Sequence, residues 1–169
     1  MIAPGYVVTM ARYNAWQNGQ ITQAFKTMHA ADLYVDRGAF FGSLLGTANH
    51  LLWGDRMWMS RFDRSVTRPE GGIKESPGLC ESVDAWAAAR DEMDGRIKSW
   101  AKGLQDADIK GDLTFFSGAL GREATVPMWR CVTHMFNHQT HHRGQIHAML
   151  TAAGATAPVS DLFMMPQEV

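Results

Sequence analysis

The chain has 169 residues, a formal net charge of -1 and a pI near 6.6, which suits a single domain over residues 1–169 with a sizeable core. That balance, with no basic stripe to neutralise phosphates, argues against a nucleic-acid partner. Cys80 and Cys131 are too few and too far apart for a disulfide framework or a structural zinc knuckle.

The chain opens Met-Ile-Ala-Pro-Gly, with no basic stretch leading into an apolar one, so a secretory signal is not expected and the cytoplasm is the expected location. A first helix is predicted from Pro4 to about Met28, because Val7, Met10, Asn14, Ile21, Ala24, Phe25 and Met28 follow the helical period. A second covers roughly Ala39 to Phe62. Residues 38–54 lack Asp, Glu, Lys and Arg. Ser43, Thr47, Asn49 and His50 make the run too polar and it is slightly too short to span a bilayer, so a buried helix is expected and no membrane partner.

Arg68-Pro69-Glu70-Gly71-Gly72 reads as a loop. A third helix follows Ser82, a suitable N-cap with Asp84 in the first turn, and its apolar stripe runs through Leu79, Val83, Trp86, Met93, Ile97, Trp100 and Leu104. Leu113 to Val126 has β-formers around Gly118 and Gly121, which predicts a short extended or hairpin excursion. A fourth helix runs from near Pro127 to Gly154, and the tail after Pro158 has room for one short helical turn. Six Trp and eleven Met suit an irregularly packed helical core. The fold class is therefore all-α, a four-helix bundle with that excursion between the third and fourth helices.

Five of the seven histidines fall between His134 and His147. His134, His138 and His142, spaced i, i+4, stack along one side of the fourth helix. Such rings need hydrogen bonds or a metal when buried, and neutral imidazole is a common ligand for zinc, nickel, copper and iron. His147 lies on the other side, away from any ion held by His138 and His142, and reads as a surface or interface residue. On the second helix His50 faces away from the stripe of Phe41, Leu44, Leu45, Ala48, Leu52, Met59 and Phe62, in a row with Ser43, Gly46, Thr47, Gly54 and Met57. Spacing alone leaves His50 equally open to a metal-ligand role and to that of a satisfied core histidine.

The stretch His134-x3-Asn137-His138-x3-His142-Arg143-Gly144-Gln145 resembles the signature of the DinB-like (YfiT-like) metalloenzyme superfamily, a damage-inducible helical-bundle family unrelated to the similarly named DNA polymerase. Tyr13-Asn14-Ala15-Trp16 and Asn49-His50-Leu51-Leu52-Trp53-Gly54-Asp55 resemble its other recurring segments, in the expected order over nearly the whole chain. The resemblance implies a divalent metal, nickel or zinc, held by His50, His138 and His142. It also implies a four-helix core with small additions, homodimerisation, and relatives that use low-molecular-weight thiols.

Three neutral imidazoles leave an ion its charge and an open position, which suits either hydrolysis of a small-molecule substrate or thiol S-transfer. His134 and His141 are the candidate catalytic residues. His134 could equally be an outer hydrogen-bond partner, a fourth ligand or packing, and His141 a general base or a surface residue. Asn14 and Gln17 are polar within an apolar stripe. Asp55 reads first as half of a helix-end ion pair, and Cys131 as an inert buried thiol. Gly144 and the Gly42-x3-Gly46 pair suggest close approach of another helix. The alternative function is a non-catalytic stress-related or ligand-binding bundle whose metal is structural. A di-iron carrier or a zincin protease is not supported, because Glu-x-x-His and His-Glu-x-x-His are both absent.

Overall fold

A computed structural model describes residues 2–167. Helix α1 spans Pro4–Thr27, with Pro4 in the first turn, where its missing N–H removes no intrahelical bond. Helix α2 spans Leu44–Phe62, starting later than the hydrophobic pattern suggests. Gly38 (φ 75°) and Gly42 (φ 72°) bend the chain into a tight turn closed by an Ala39–Gly42 bridge. Ser43 then starts the helix by accepting from the Gly46 N–H at 3.0 Å. From Leu44 to Asp55 every residue of α2 is buried, which explains a charge-free run ending in a single acid.

Helix α3 spans Val83–Gly103, and its Ser82 cap accepts from the Ala85 N–H at 3.2 Å. A short helix α4 (Asp106–Ile109) leads into strands β1 (Asp112–Ser117) and β2 (Arg122–Pro127). They pair antiparallel with Asp112 opposite Pro127 and Ser117 opposite Arg122. Helix α5 spans Met128–Ala152 and is followed by Gly154 at φ 72°. The tail crosses α1 and holds one short 3-10 turn, Leu162–Met164. Tyr13 and Gln17 fix the tail by donating to the carbonyls of Ser160 (2.5 Å) and Val159 (2.6 Å). Among the described residues no helix is long and apolar enough to cross a membrane.

The four long helices form a ring in the order α1, α3, α2, α5. Asn18 meeting Asp94 and Phe25 meeting Trp86 set α1 and α3 antiparallel. Trp86 reaching Ala48, Arg90 reaching Asp55 and Trp100 stacking on Phe62 set α2 and α3 parallel. His50 facing His138 and Trp58 facing His134 set α2 and α5 antiparallel. Parallel neighbours require the connecting chain to travel back along the bundle. Residues 63–82 do so, and Asn49 Nδ2 anchors their far end by donating to the carbonyls of Pro77 (2.8 Å) and Cys80 (2.9 Å).

The core is apolar at Phe25, Leu44, Leu52, Trp86, Ile97 and Phe136, but its middle carries charge. Arg90 lies 2.8 Å from Asp55 and 2.9 Å from Asp94, all three essentially buried. Asn18 Nδ2 donates to both Asp94 oxygens at 3.0 and 3.1 Å. Burial pushes the Asp55 and Asp94 carboxyls up, and the Arg90 guanidinium opposes that push. Asp55 is thus not part of a helix-end pair. It sits deep in α2, where the packing register presents it to α3.

Arg90→Met would leave two carboxyls facing each other without their cation. Removing one partner of a buried charge group costs about 3–5 kcal/mol. Urea denaturation at neutral pH is expected to show a loss of that order with an unchanged slope, and a loss within the range of ordinary surface substitutions would contradict this account of the core.

Candidate metal centre

The two long connections of the chain end at the same place. The turn before α2 brings Phe41, and residues 63–82 bring Ser76, to the first turns of α2 where His50 points toward α5. On α5, His138 and His142 are one turn apart and face His50. One ring nitrogen from each of the three histidines lies within 4.8 Å of the other two.

Hydrogen bonds fix which nitrogen two of the three rings present. Ser76 Oγ gives its single proton to the Ile73 carbonyl at 2.6 Å, so toward His50 it accepts. His50 Nδ1 is therefore the donor at 2.8 Å, and its Nε2 carries the lone pair. Likewise His142 Nδ1 donates to Gln145 Oε1 at 2.7 Å, which leaves its Nε2 lone pair free. This is the arrangement by which metal-binding histidines are usually oriented. Phe41 stacks on His50 with ring centres 3.7 Å apart and packs against His142 at 5.4 Å.

Burial, followed by the neighbouring imidazoles, holds His50 and His138 at pKa values of about 3. Burial lowers His142 as well, although its bond to Gln145 opposes the shift. The rings are neutral at ordinary pH and able to act as ligands. His50 Nε2 and His138 Nε2 are 3.1 Å apart. Two nitrogens each about 2.0–2.1 Å from a tetrahedral zinc stand roughly 3.3 Å apart, so the donor set fits a divalent ion. No carboxylate or thiol joins the group among the described residues.

Gly54 faces the same point: a Cβ there would lie 3.1 Å from His138 Cε1. The other glycines behave differently from expectation. Gly46 is pressed against the Phe41 carbonyl, where a Cβ would come within 2.6 Å, and against Pro77. Its close neighbour is a connecting segment rather than a helix. Gly144 is exposed, and a Cβ on it would meet nothing within 4 Å, so among the described residues no helix of the same subunit approaches it.

His134 is exposed, 5.9 Å between ring centres from His138, and packed on Trp58 at 5.1 Å. His141 is exposed beside His142 at 4.7 Å. Neither belongs to the converging group. His147 is exposed and apart. Cys131 is buried with its sulfur 4.0 Å from the Val126 carbonyl. Asn14 accepts from the buried Arg143 guanidinium and takes no part in the centre. Gln145, three residues from His142, is within reach of helical spacing rules as its partner. Ser76 comes from an irregular segment that no sequence period reaches, and the helical period puts Phe41 on the side of the second helix away from His50, whereas it lies in the turn before that helix and stacks on the His50 ring.

A model of the DinB family matches residues 1–168, and the chain belongs to that family. No curated protein matches it. Among solved structures, a DinB-like protein from Bacillus cereus is similar with a TM-score of 0.63 and 18% identity, over 85% of this chain and 90% of that one. YfiT from Bacillus subtilis, described as a probable metal-dependent hydrolase with an unusual four-helix bundle topology, is similar with a TM-score of 0.65 and 18% identity over 91% of each chain. Both likenesses concern the fold.

Two substitutions probe the centre. Ser76→Ala removes the acceptor that orients His50, and the affinity for zinc, measured by competition with a chromogenic chelator, is expected to fall about 10–100-fold. Gly54→Ala adds about 1 kcal/mol of helix propensity while crowding His138. The same competition is expected to show weaker zinc binding in a protein that melts no lower than its parent when metal-free.

Proposed function

We propose that this member of the DinB family is a metal-dependent hydrolase acting on a small-molecule substrate, with His50, His138 and His142 holding a divalent ion, zinc or nickel. The observation that carries this reading is the neutral, three-nitrogen donor set with nothing from the described residues to close it. Structural zinc sites are usually completed by a fourth protein ligand, whereas catalytic ones keep a position open. The description of YfiT as a probable metal-dependent hydrolase points the same way.

When bound, such an ion supplies a Lewis acid that polarises the substrate and lowers the pKa of a coordinated water or thiol. The chain does the rest. Ser76 and Gln145 keep the Nδ1 protons of His50 and His142 in place, so the Nε2 lone pairs of these two rings stay aimed at the point that His138 also faces. Phe41 lies against the faces of His50 and His142 and holds both rings in place. His141, exposed and in contact with His142, is placed to accept a proton at the rim, and His134 to do so on the other flank. Thiol S-transfer with a low-molecular-weight thiol uses the same ligands and is the other outcome of the test.

In the test, metal content and turnover are measured on untagged protein with a panel of esters and amides, with and without added thiols. His138→Ala is expected to lose both metal and turnover. His141→Gln is expected to keep the metal and lose about 10²–10⁴-fold in kcat. Metal content unchanged in both His50→Ala and His138→Ala would overturn the ligand assignment. Turnover only with thiol present would favour S-transfer over hydrolysis.

A further inference from the structure

His50 and His142 are oriented by hydrogen bonds to Ser76 and Gln145, and His138 has no such partner. Among the described residues its ring makes one hydrogen-bond contact, the 3.1 Å approach to His50 Nε2. Its other edge lies against α2 at Gly54, where a Cβ would stand 3.4 Å from Nδ1. A ring held by packing alone goes where its helix goes. The position of this third donor therefore depends on how α5 is set against α2.

The next residue in the chain sets it. Gln139 is fully buried, and its Nε2 donates to the Leu51 carbonyl at 3.3 Å. Leu51 follows His50 on α2 as Gln139 follows His138 on α5, so the amide contact and the ring contact lie side by side and tie the same two backbones. Gln139 Oε1 accepts from Arg143 Nη1 at 3.3 Å, and since a guanidinium only donates, the end turned toward Leu51 is the nitrogen. Arg143, one turn further along α5, also donates to Asn14 of α1 and to Thr140 Oγ1 at 3.4 Å. The same Gln139 amide acts on Asp55, whose carboxyl burial pushes up, Arg90 being the larger and Gln139 a smaller influence against that push. A buried amide costs free energy unless its hydrogen bonds are made, so the register that makes them is favoured over its neighbours.

We propose that Gln139 is a positioning residue of the metal centre: by donating to the Leu51 carbonyl it fixes α5 against α2 in the register that brings His138 Nε2 to His50, and Arg143 keeps its amide turned that way. The proposal rests on the metal reading above and supplies the constraint that the third ring lacks. Gln139 acts through His138 and is not itself a ligand. A methionine would fill the same volume in this seam, so what the amide adds is direction rather than packing.

The experiment compares Gln139→Met, Gln139→Asn and Ile97→Ala with the parent protein. Zinc affinity is measured by competition with a chromogenic chelator, ligand arrangement from the visible absorption of the cobalt(II)-loaded protein, and stability by urea denaturation of the metal-free protein. Methionine has no proton to give Leu51. Asparagine keeps an amide for Arg143 but ends one methylene short of Leu51, and it carries the test if the methionine variant does not fold. Ile97, buried on α3, is the control that loses packing away from the centre. Both Gln139 variants are expected to bind zinc about tenfold more weakly and to show shifted cobalt bands. Ile97→Ala is expected to be less stable with parental affinity and bands. Parental affinity and bands in a folded Gln139 variant, or a fall that Ile97→Ala matches at equal loss of stability, overturn the proposal while the metal reading stands. Failure of both Gln139 variants to fold makes the residue one of folding and overturns it too. Parental uptake of zinc and cobalt by His138→Ala overturns the metal reading and this proposal with it.

Discussion

A neutral imidazole has one proton to place, and the whole of this site depends on where two of those protons go. His50 and His142 give theirs to Ser76 and Gln145, away from each other, so their remaining lone pairs converge. Had either Nδ1 lacked an oxygen partner, the ring could have turned its N–H inward and satisfied its neighbour by an ordinary hydrogen bond. The centre would then be only a cluster of packed histidines. Outer hydrogen bonds therefore make a ligand set out of a helical repeat.

The topology follows from the same requirement. An antiparallel α2 and α5 bring the rings together, but neither helix supplies the acceptor for His50. It comes from residues 63–82, which must run back along the bundle because α2 and α3 are parallel neighbours. Asn49, next to His50 in sequence, ties that segment down through two carbonyls. Adjacent residues of α2 thus divide the work, one fixing the connecting chain and the other using what it delivers. The buried Arg90 group contributes a second constraint. An ion group in the core tolerates little sliding, because displacement would leave charge unpaired in a poorly polarisable interior, and it pins α2 against α3 one turn below His50.

The parts of this molecule that can be read from the sequence are those governed by a period. The four long helices, the Ser82 cap, the stop at Gly154 and the i, i+4 histidines all express local rules. The apolar pattern places the start of α2 too early because Ala39, Phe40 and Phe41 continue it. Two glycines at positive φ and the hydroxyl of Ser43 override it. Arg90 and Asp94 carry an i, i+4 spacing that looks like a solvated surface pair. Only the register between α1, α2 and α3 reveals that Asp55 and Asn18 enclose them. Ser76 and Phe41 are beyond reach for a different reason: they are placed by where a chain returns, and no spacing encodes that. Gly144 shows the limit of a letter: a glycine on an exposed helical face reads the same as one at a crossing within the bundle.

The distribution of charge separates the histidine centre from the ion group of the core. Around the histidines the described ligand set contains no carboxylate, so nothing from the chain reduces the charge of a divalent ion held there. The acids of the interior are instead consumed by Arg90, on the far side of α2. The other buried arginine is treated differently: the Arg143 guanidinium meets no carboxylate within ion-pair distance among the described residues, and the side-chain oxygens of Asn14 and Gln139 accept from it instead. The pairing is uneven, with one buried arginine given two aspartates and the other, next to His142 in sequence, given neutral oxygens. Beside the histidines the chain thus spends neutral acceptors on its buried cation and keeps its core acids for α3.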